Sequence, residues 1–470
     1  MRDVILVLVI GAIMPMIIVS PHVGALAYAW LSLMNPHRLT YGFSYGLPFA
    51  TYIAGLTVIA WLCNPRERKL PAMNAVAWFM VAFAIWICVT TYMALEPVEA
   101  APKFDRTIKI MIGAFVTLIL ISSRERVIQL TAVVAGSIAF FGIKGGIFTI
   151  LTGGGARIWG PPATMIEDNN AVALAMNMVV PLIYFLSTQA RQRWLRFALM
   201  GVVGLCVIAI LGTQSRGGML ALAAMGGLLW WRSKNKVAMG AVLVVVAVVA
   251  GLLLSAILAS RIDAIRNYEE DASAQARLHS WRFAIGVAAE RPIYGGGFLV
   301  FVRNKKSAED GPDENGVSES WTNAHSIYFE TLGEHGYVGL FILFGLIIGS
   351  IITCYRIRSR TAARPDLQWA FELGTALQVS IVGFAIGGAF LNMAFYDLDY
   401  YLYVLIIATD TIVRQEVGER RMKRFGQTSF DDEPDDVAVV GGGAQAGVAT
   451  TSARKSPIRR KQKLLVERSG

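Results

Sequence analysis

The residues of this chain best suited to chemistry are one histidine and a set of arginines. His325 is followed by Ser326 and, after nine residues, by Gly336-Tyr337-Val338-Gly339. Trp321-Thr322-Asn323-Ala324 reads as a helix cap, which predicts His325 in the first turn of a helix. There the positive end of the helix dipole disfavours imidazolium. A neutral imidazole at physiological pH is what a general base requires. A lone histidine is more often structural, but Tyr328, Phe329 and Leu332 share this helical face and can wall the site against water. His335, beside Gly336, reads instead as a C-cap residue.

Arg216 sits at a hairpin tip, Gly212-Thr213-Gln214-Ser215-Arg216-Gly217-Gly218, between two apolar runs. The glycines let an anion approach the backbone, and the following helix offers its N-terminal N–H groups. The competing reading is an arginine snorkelling at the interface. The row Arg157-Ile158-Trp159-Gly160-Pro161-Pro162 through Glu167-Asp168-Asn169-Asn170 is an ordered loop, and its last four residues can cap the next helix. Lys144, in Gly142-Ile143-Lys144-Gly145-Gly146, is a further cation near a helix end. Residues 274–289 read as an amphipathic helix carrying Arg277, Trp281 and Arg282, broken by Arg291-Pro292; a helix lying on a membrane surface is the plainer account of it. Several arginines with one base and carboxylates suit a diphosphate, which guanidinium binds through forked, charge-assisted hydrogen bonds. Asp397-Leu398-Asp399 can hold a divalent metal, but its place at a helix start favours capping. We therefore expect no metal and no cofactor, with arginines neutralising the leaving group.

These residues need a membrane-bound frame. Hydrophobic residues make up 55% of the 470 and charged ones 16%, against about 25% charged in soluble domains. Twelve apolar runs approach the ~20 residues of a spanning helix: 4–20, 44–63, 72–94, 107–122, 127–150, 170–187, 196–212, 216–231, 237–258, 337–354, 368–393 and 397–413. They are apolar all round rather than alternating, which excludes a barrel. The expected fold is an all-α polytopic membrane protein of about twelve transmembrane helices. The run 22–35, bounded by prolines, reads as re-entrant or interfacial, and the N-terminus as an uncleaved signal-anchor. Cys63, Cys88, Cys206 and Cys354 read as small core residues.

Short basic clusters near 66–69, 124–126, 191–196, 232–236, 356–364 and 414–424 mark the cytoplasmic side. Two runs lie between each cluster and the next, so every hairpin tip faces outward. Runs 4–20 and 44–63 precede the first cluster, which puts the N-terminus inside and both ends in the cytoplasm. The outward side then holds 95–106, 151–169, 213–216, 259–337 and 394–396. The largest of these, 259–337, carries twenty Asp, Glu, Lys and Arg residues and reads as the soluble part of an active site seated on a bilayer. Residues 1–413 form the membrane domain, and 414–470, of low complexity, a disordered cytoplasmic tail. That anchoring explains the net charge of +10 without nucleic acid.

With these motifs in order, the sequence resembles the O-antigen ligase family of polytopic glycosyltransferases. That family includes Wzy-type polymerases and bacterial protein O-oligosaccharyltransferases. His325-Ser326 with Gly336 and Gly339 meets its histidine pattern, and Arg216 with Leu220 its arginine pattern. The 145–162 run, with Ile166-Glu167 and Asn169-Asn170, is similar to the exosortase-associated O-glycosylation ligase subgroup. The resemblance implies a GT-C-type fold and glycan transfer from undecaprenyl diphosphate to a lipid A-core sugar, on the periplasmic face of the bacterial inner membrane. It implies that His325 deprotonates the acceptor and that Arg216 and Arg277 hold the diphosphate; Arg157 and Glu167 are the next choices for positioning substrate, and Lys144 and Arg282 are further substrate-binding candidates from their placement. From a different class, a lipid-linked glycan flippase would place broken helices and ions at the bilayer midplane; here they concentrate at one face.

Overall fold

The computed structural model describes residues 1–67, 71–233, 235–266, 272–303 and 323–428, and for 66, 253–266, 272–274 and 419–428 the backbone alone. Residues 1–418 form one compact unit. The expected disordered tail, 414–470, is described as far as Thr428, where its backbone is helical; from 429 onward it lies outside the described residues.

Among the described residues there is no strand. The helices are α1 (Arg2–Val19), α2 (Pro21–Met34), α3 (Phe49–Cys63), α4 (Ala75–Tyr92), α5 (Pro97–Leu120), α6 (Arg124–Leu151), α7 (Asn169–Gln189), α8 (Arg193–Gly212), α9 (Arg216–Arg232), α10 (Lys236–Arg266), α11 (Ala272–Glu290), α12 (Ile327–Thr361), α13 (Gln368–Gly387) and α14 (Asp397–Thr428). Each of the twelve apolar runs falls on a helix. Among the described residues seven helical segments are long and apolar enough to cross a membrane: α1, α4, α6, α7, α8, α12 and Pro365–Phe390, which contains α13. The others are shorter, as α3 is, or carry more charge, as α5 does with Lys103, Asp105, Arg106 and Lys109. The chain is an all-α, multi-pass membrane protein. α7 is its central post, buried along most of its length against α6, α8 and α13. Ile5, Leu8, Trp194, Phe197 and Phe341 instead point outward from helix surfaces, where lipid replaces water.

The bundle has two chemically distinct ends. The basic clusters gather at one: Arg126 forks onto Glu67 at 2.6 and 2.8 Å, and Arg360 and Arg414 hold Asp410 together with Asn74. The segments expected to face outward meet at the other. Leu95 N–H donates to the Gly296 carbonyl, Ile158 N–H to Gly212, and Asn169 to Thr213, while Ala394 N–H reaches Glu330.

One expectation fails at the N-terminus. His22 lies near Glu67 and Arg126 at the basic end. Arg2 donates to the Leu39 carbonyl and shares a cavity with Arg157 at the polar end. The chain therefore passes between the ends three times before residue 64, and its N-terminus lies at the polar end, not the basic one. The 22–35 run is the cause. It forms α2, which packs between α1 and α3 and against α6, instead of re-entering from one side. The cysteines divide as well: Cys206 and Cys354 are buried, whereas Cys63 and Cys88 are exposed on their helices.

Candidate active site

His325 does not occupy the first turn of a helix. Ser326 is the N-cap residue of α12, and His325, just before it, has a left-handed backbone with φ 48°. Histidine is among the few residues found there, and such strain persists only where the surroundings enforce it. α11 enforces it. Ser280 Oγ donates to the Asn323 carbonyl at 3.0 Å, and Trp281 Nε1 to the Ala324 carbonyl at 2.8 Å. The Trp281 ring stacks on Phe329 at 4.7 Å, so one side chain grips the chain before and after the histidine. Tyr328 donates to the Ala385 carbonyl, and Leu332 is buried, both beneath the site.

The electrostatics of His325 are mixed. Burial lowers its pKa below the ordinary histidine value, and Arg277 lowers it further, while Asp168 and Glu330 act in the opposite direction. Both lowering causes favour the neutral imidazole, and they are crowding and a guanidinium rather than a helix dipole. The ring still reaches solvent.

Arg216 belongs to the same surroundings. Ser215 caps α9 by accepting from Gly218 N–H, which leaves Arg216 exposed on the first turn. Ser215 also donates to Asn170 at 2.7 Å, and Asn169 donates to the Thr213 carbonyl at 2.9 Å. The Arg216 turn is thereby locked to the start of α7, whose cap, Asp168, is the acidic neighbour of His325. Gly217 abuts Phe390, and Gly388 abuts Ile327, so the residues flanking Arg216 and His325 rest on one short helical turn, Gly388–Phe390.

The spacing from His325 to Gly336 has a physical basis. α12 breaks at Gly336, φ 66°, where a Cβ would collide with the Ile293 and Pro292 carbonyls. Gly296 and Gly297 donate to the Gly333 and Glu334 carbonyls, and Tyr337 donates to Pro292. The 291–297 turn is thus sewn onto α12 two turns past the histidine. His335 sits at this break but is a core residue rather than a simple cap. Its Nδ1 lies 2.7 Å from the Thr90 hydroxyl, and Phe83, Phe298 and Phe395 surround its ring.

Other candidates lie elsewhere. Lys144 and Arg157 line a separate cavity with Arg2 and Arg38. Glu167 accepts from Ala163 N–H at 2.9 Å and so folds its own loop. Arg282 is exposed on α11, and Arg291 donates to the Met93 carbonyl. Asp397 faces Ser32 and Arg106, while Asp399 is buried with neither carboxylate oxygen hydrogen-bonded within the described residues. Among the described residues no cluster of His, Cys, Asp and Glu suits a metal.

Sequence reasoning missed a buried ionic knot beside the site. Lys103 Nζ lies 2.7 Å from Glu330 and 2.8 Å from Glu334. The same glutamates accept from Ala394 N–H and Leu299 N–H, tying α5, α12 and two loops together. Two glutamates four residues apart on one face of an otherwise apolar helix were the available signal.

A strained histidine, an arginine-bearing helix and an arginine-bearing turn thus gather at one end of a membrane helix bundle. Residues 201–344, which hold Arg216, Arg277, His325 and Gly336, match the family described as O-antigen ligase. Residues 1–191 match one described as a family of unknown function. No curated protein matches the chain. The O-antigen ligase match over 201–344 ties this part of the chain to ligation or processing of lipopolysaccharide-type glycans.

Proposed function

We propose that this protein is an O-antigen ligase-type glycosyltransferase. It moves glycan from undecaprenyl diphosphate to a hydroxyl of a lipid A-core sugar, with inversion and without a metal, on the periplasmic face of the inner membrane. A GT-C-type fold and membership of the exosortase-associated subgroup belong to the same reading. The observation that carries it is His325, held in a left-handed turn between Arg277 and Asp168, with the Arg216 turn tied to Asp168's own helix.

In the proposed reaction His325 takes the proton of the acceptor hydroxyl, whose oxygen attacks the anomeric carbon. The bond from that carbon to the diphosphate breaks on the opposite face, and its electrons leave with the diphosphate. Arg216 and Arg277 bind the leaving group, where their charge counts most in a site shielded from water. Arg277 adds a coupling. Its charge suppresses the basicity of His325, and a bound diphosphate would offset that charge, so the donor itself would strengthen the base.

The test is transfer by purified full-length protein from a defined undecaprenyl diphosphate glycan, offered lipid A-core and a pilin-like protein in parallel. Transfer to lipid A-core that persists in EDTA is the expected result. Transfer to protein alone would replace the acceptor, and loss in EDTA with rescue by magnesium would shift the leaving-group role to Asp397 and Asp399.

A further inference from the structure

The polar end of the bundle contains a second place built for an anion. A cavity of about 1380 Å³ opens between the start of α1, the 36–45 segment, the last turns of α6 and the 157–162 loop. Four cations line it, Arg2, Arg38, Lys144 and Arg157, and no carboxylate does. Among the described residues none of the four makes an ion pair. Each lies instead over an aromatic ring: Arg2 over Tyr41 at 5.5 Å, Arg38 over Tyr45 at 4.7 Å, Lys144 over Phe140 at 5.5 Å and Arg157 over Trp159 at 6.0 Å. The closest acid in sequence, Asp3, is taken up by the backbone N–H and hydroxyl of Ser44.

Three considerations set the occupant. Positive residues in short segments normally collect at the other end of a membrane protein, and here the basic clusters do so. Four cations kept at the polar end without internal counter-charge are therefore matched to charge supplied from outside. Aromatic faces hold a cation in place without neutralising it, so its attraction for an anion survives. Finally, the walls below the cations are apolar and open outward through Ile5, Val9, Phe148 and Leu151, all exposed on α1 and α6. A free anion has no use for such walls, whereas a hydrocarbon chain does.

We infer that this cavity binds the phosphate head group of a membrane amphiphile, its chain lying along α1 and α6, at a site separate from the centre around His325. The two sites share the 154–168 loop as a wall. Arg157, Ile158 and Trp159 face the cavity, while Asp168 at the loop's far end faces the histidine. Most of the lining comes from residues 1–162, so the site would give the N-terminal 1–191 region a ligand of its own.

Delipidated full-length protein in detergent, titrated by native mass spectrometry with dioleoyl phosphatidic acid, dioleoyl phosphatidylcholine and inorganic diphosphate, tests this. Phosphatidic acid should bind well ahead of phosphatidylcholine, and inorganic diphosphate should compete poorly. The triple variant Arg38→Gln/Lys144→Gln/Arg157→Gln should weaken phosphatidic acid by about a hundred-fold, from roughly one unit of head-group attraction per cation. Arg157→Lys, which keeps the charge, should bind as the parent does and guards against misfolding in the triple variant. Equal binding by the triple variant, parity between the two lipids, or displacement by inorganic diphosphate at lipid-like concentrations would each overturn the proposal. His325→Ala should keep the lipid; its loss there would put the ligand in the reaction centre. Because the readout is binding, failure of the transferase reading leaves this result untouched.

Discussion

Helix α12 and the strained turn that leads into it carry two polar clusters close together in sequence, and they are built on opposite plans. At Glu330 and Glu334 a buried lysine sits within 2.8 Å of both carboxylates, and the remaining acceptor sites take backbone N–H groups. That cluster is closed, with its partners drawn from α5 and from distant loops. At His325 the backbone is strained, the ring reaches solvent, and the neighbours are of mixed sign. The closed cluster holds the helix in place, and the open one is poised by that rigidity. A charge satisfied internally makes structure; a titratable group left facing solvent is a candidate for function.

The sharpest way to break this contrast is at the histidine. His325→Asn keeps a residue tolerant of the left-handed turn while removing the base. Glycan transfer should fall by about 10²- to 10⁴-fold, with the melting temperature unchanged. Wild-type turnover would remove His325 from the chemistry. The closed cluster should respond in the reverse sense. Lys103→Met leaves two carboxylates buried together without a cation, a loss of roughly 3–5 kcal/mol, read as a large drop in melting temperature or in folded yield. A Lys103→Met protein of normal stability would mean that the knot is not structural. Lys144→Met, whose side chain has no carboxylate partner, should leave the melting temperature where it is.

Much of the frame is legible in the sequence because hydrophobicity is local. All twelve apolar runs lie on helices, and the outward segments do meet at one end. The N-terminal crossing is not legible because α2, Pro21–Met34, is shorter than a ~20-residue span and is stabilised by neighbours the sequence does not order. The site was half legible. His325, Arg216 and Arg277 are marked by motif and placement, but Asp168 reaches His325 only through the folding of α7. Arg157 and Asp168 share one loop and yet serve its two faces, which no spacing rule reveals. Trp281 stood out as an aromatic on an amphipathic helix, not as the clamp that forces the turn at His325. The left-handed residues Asn35, Ala163, Gln214, Leu299 and His325 all fall at the polar end, and strain of that kind is visible only in coordinates.

Arg216 offers a smaller effect than the histidine. Arg216→Lys keeps the charge and loses the fork, so transfer should drop by about 10- to 100-fold, the equivalent of one or two charged hydrogen bonds. Near wild-type activity would assign Arg216 to the interface as a snorkelling residue. A drop in melting temperature comparable to that of Lys103→Met would instead place it in the structural class.

The smallest effect, in pH, is the most specific. Burial and Arg277 hold the His325 pKa below its ordinary value, against Asp168 and Glu330. As a base it must be neutral, so activity should rise with pH through that pKa and be complete above it, with the acid limb of kcat/KM below the usual ~6.5. Arg277→Gln removes a cation that disfavours imidazolium, so its limb should move to higher pH. Asp168→Asn removes an anion that favours imidazolium and should move the limb the other way. Since kcat reports the complex with substrate and kcat/KM the free enzyme, a bound diphosphate that offsets Arg277 should put the limb of kcat above that of kcat/KM in the parent enzyme. In Arg277→Gln the two limbs should coincide. A gap that survives the substitution would mean that the donor's charge reaches the histidine by another route, and Arg277 would no longer be the link between leaving group and base.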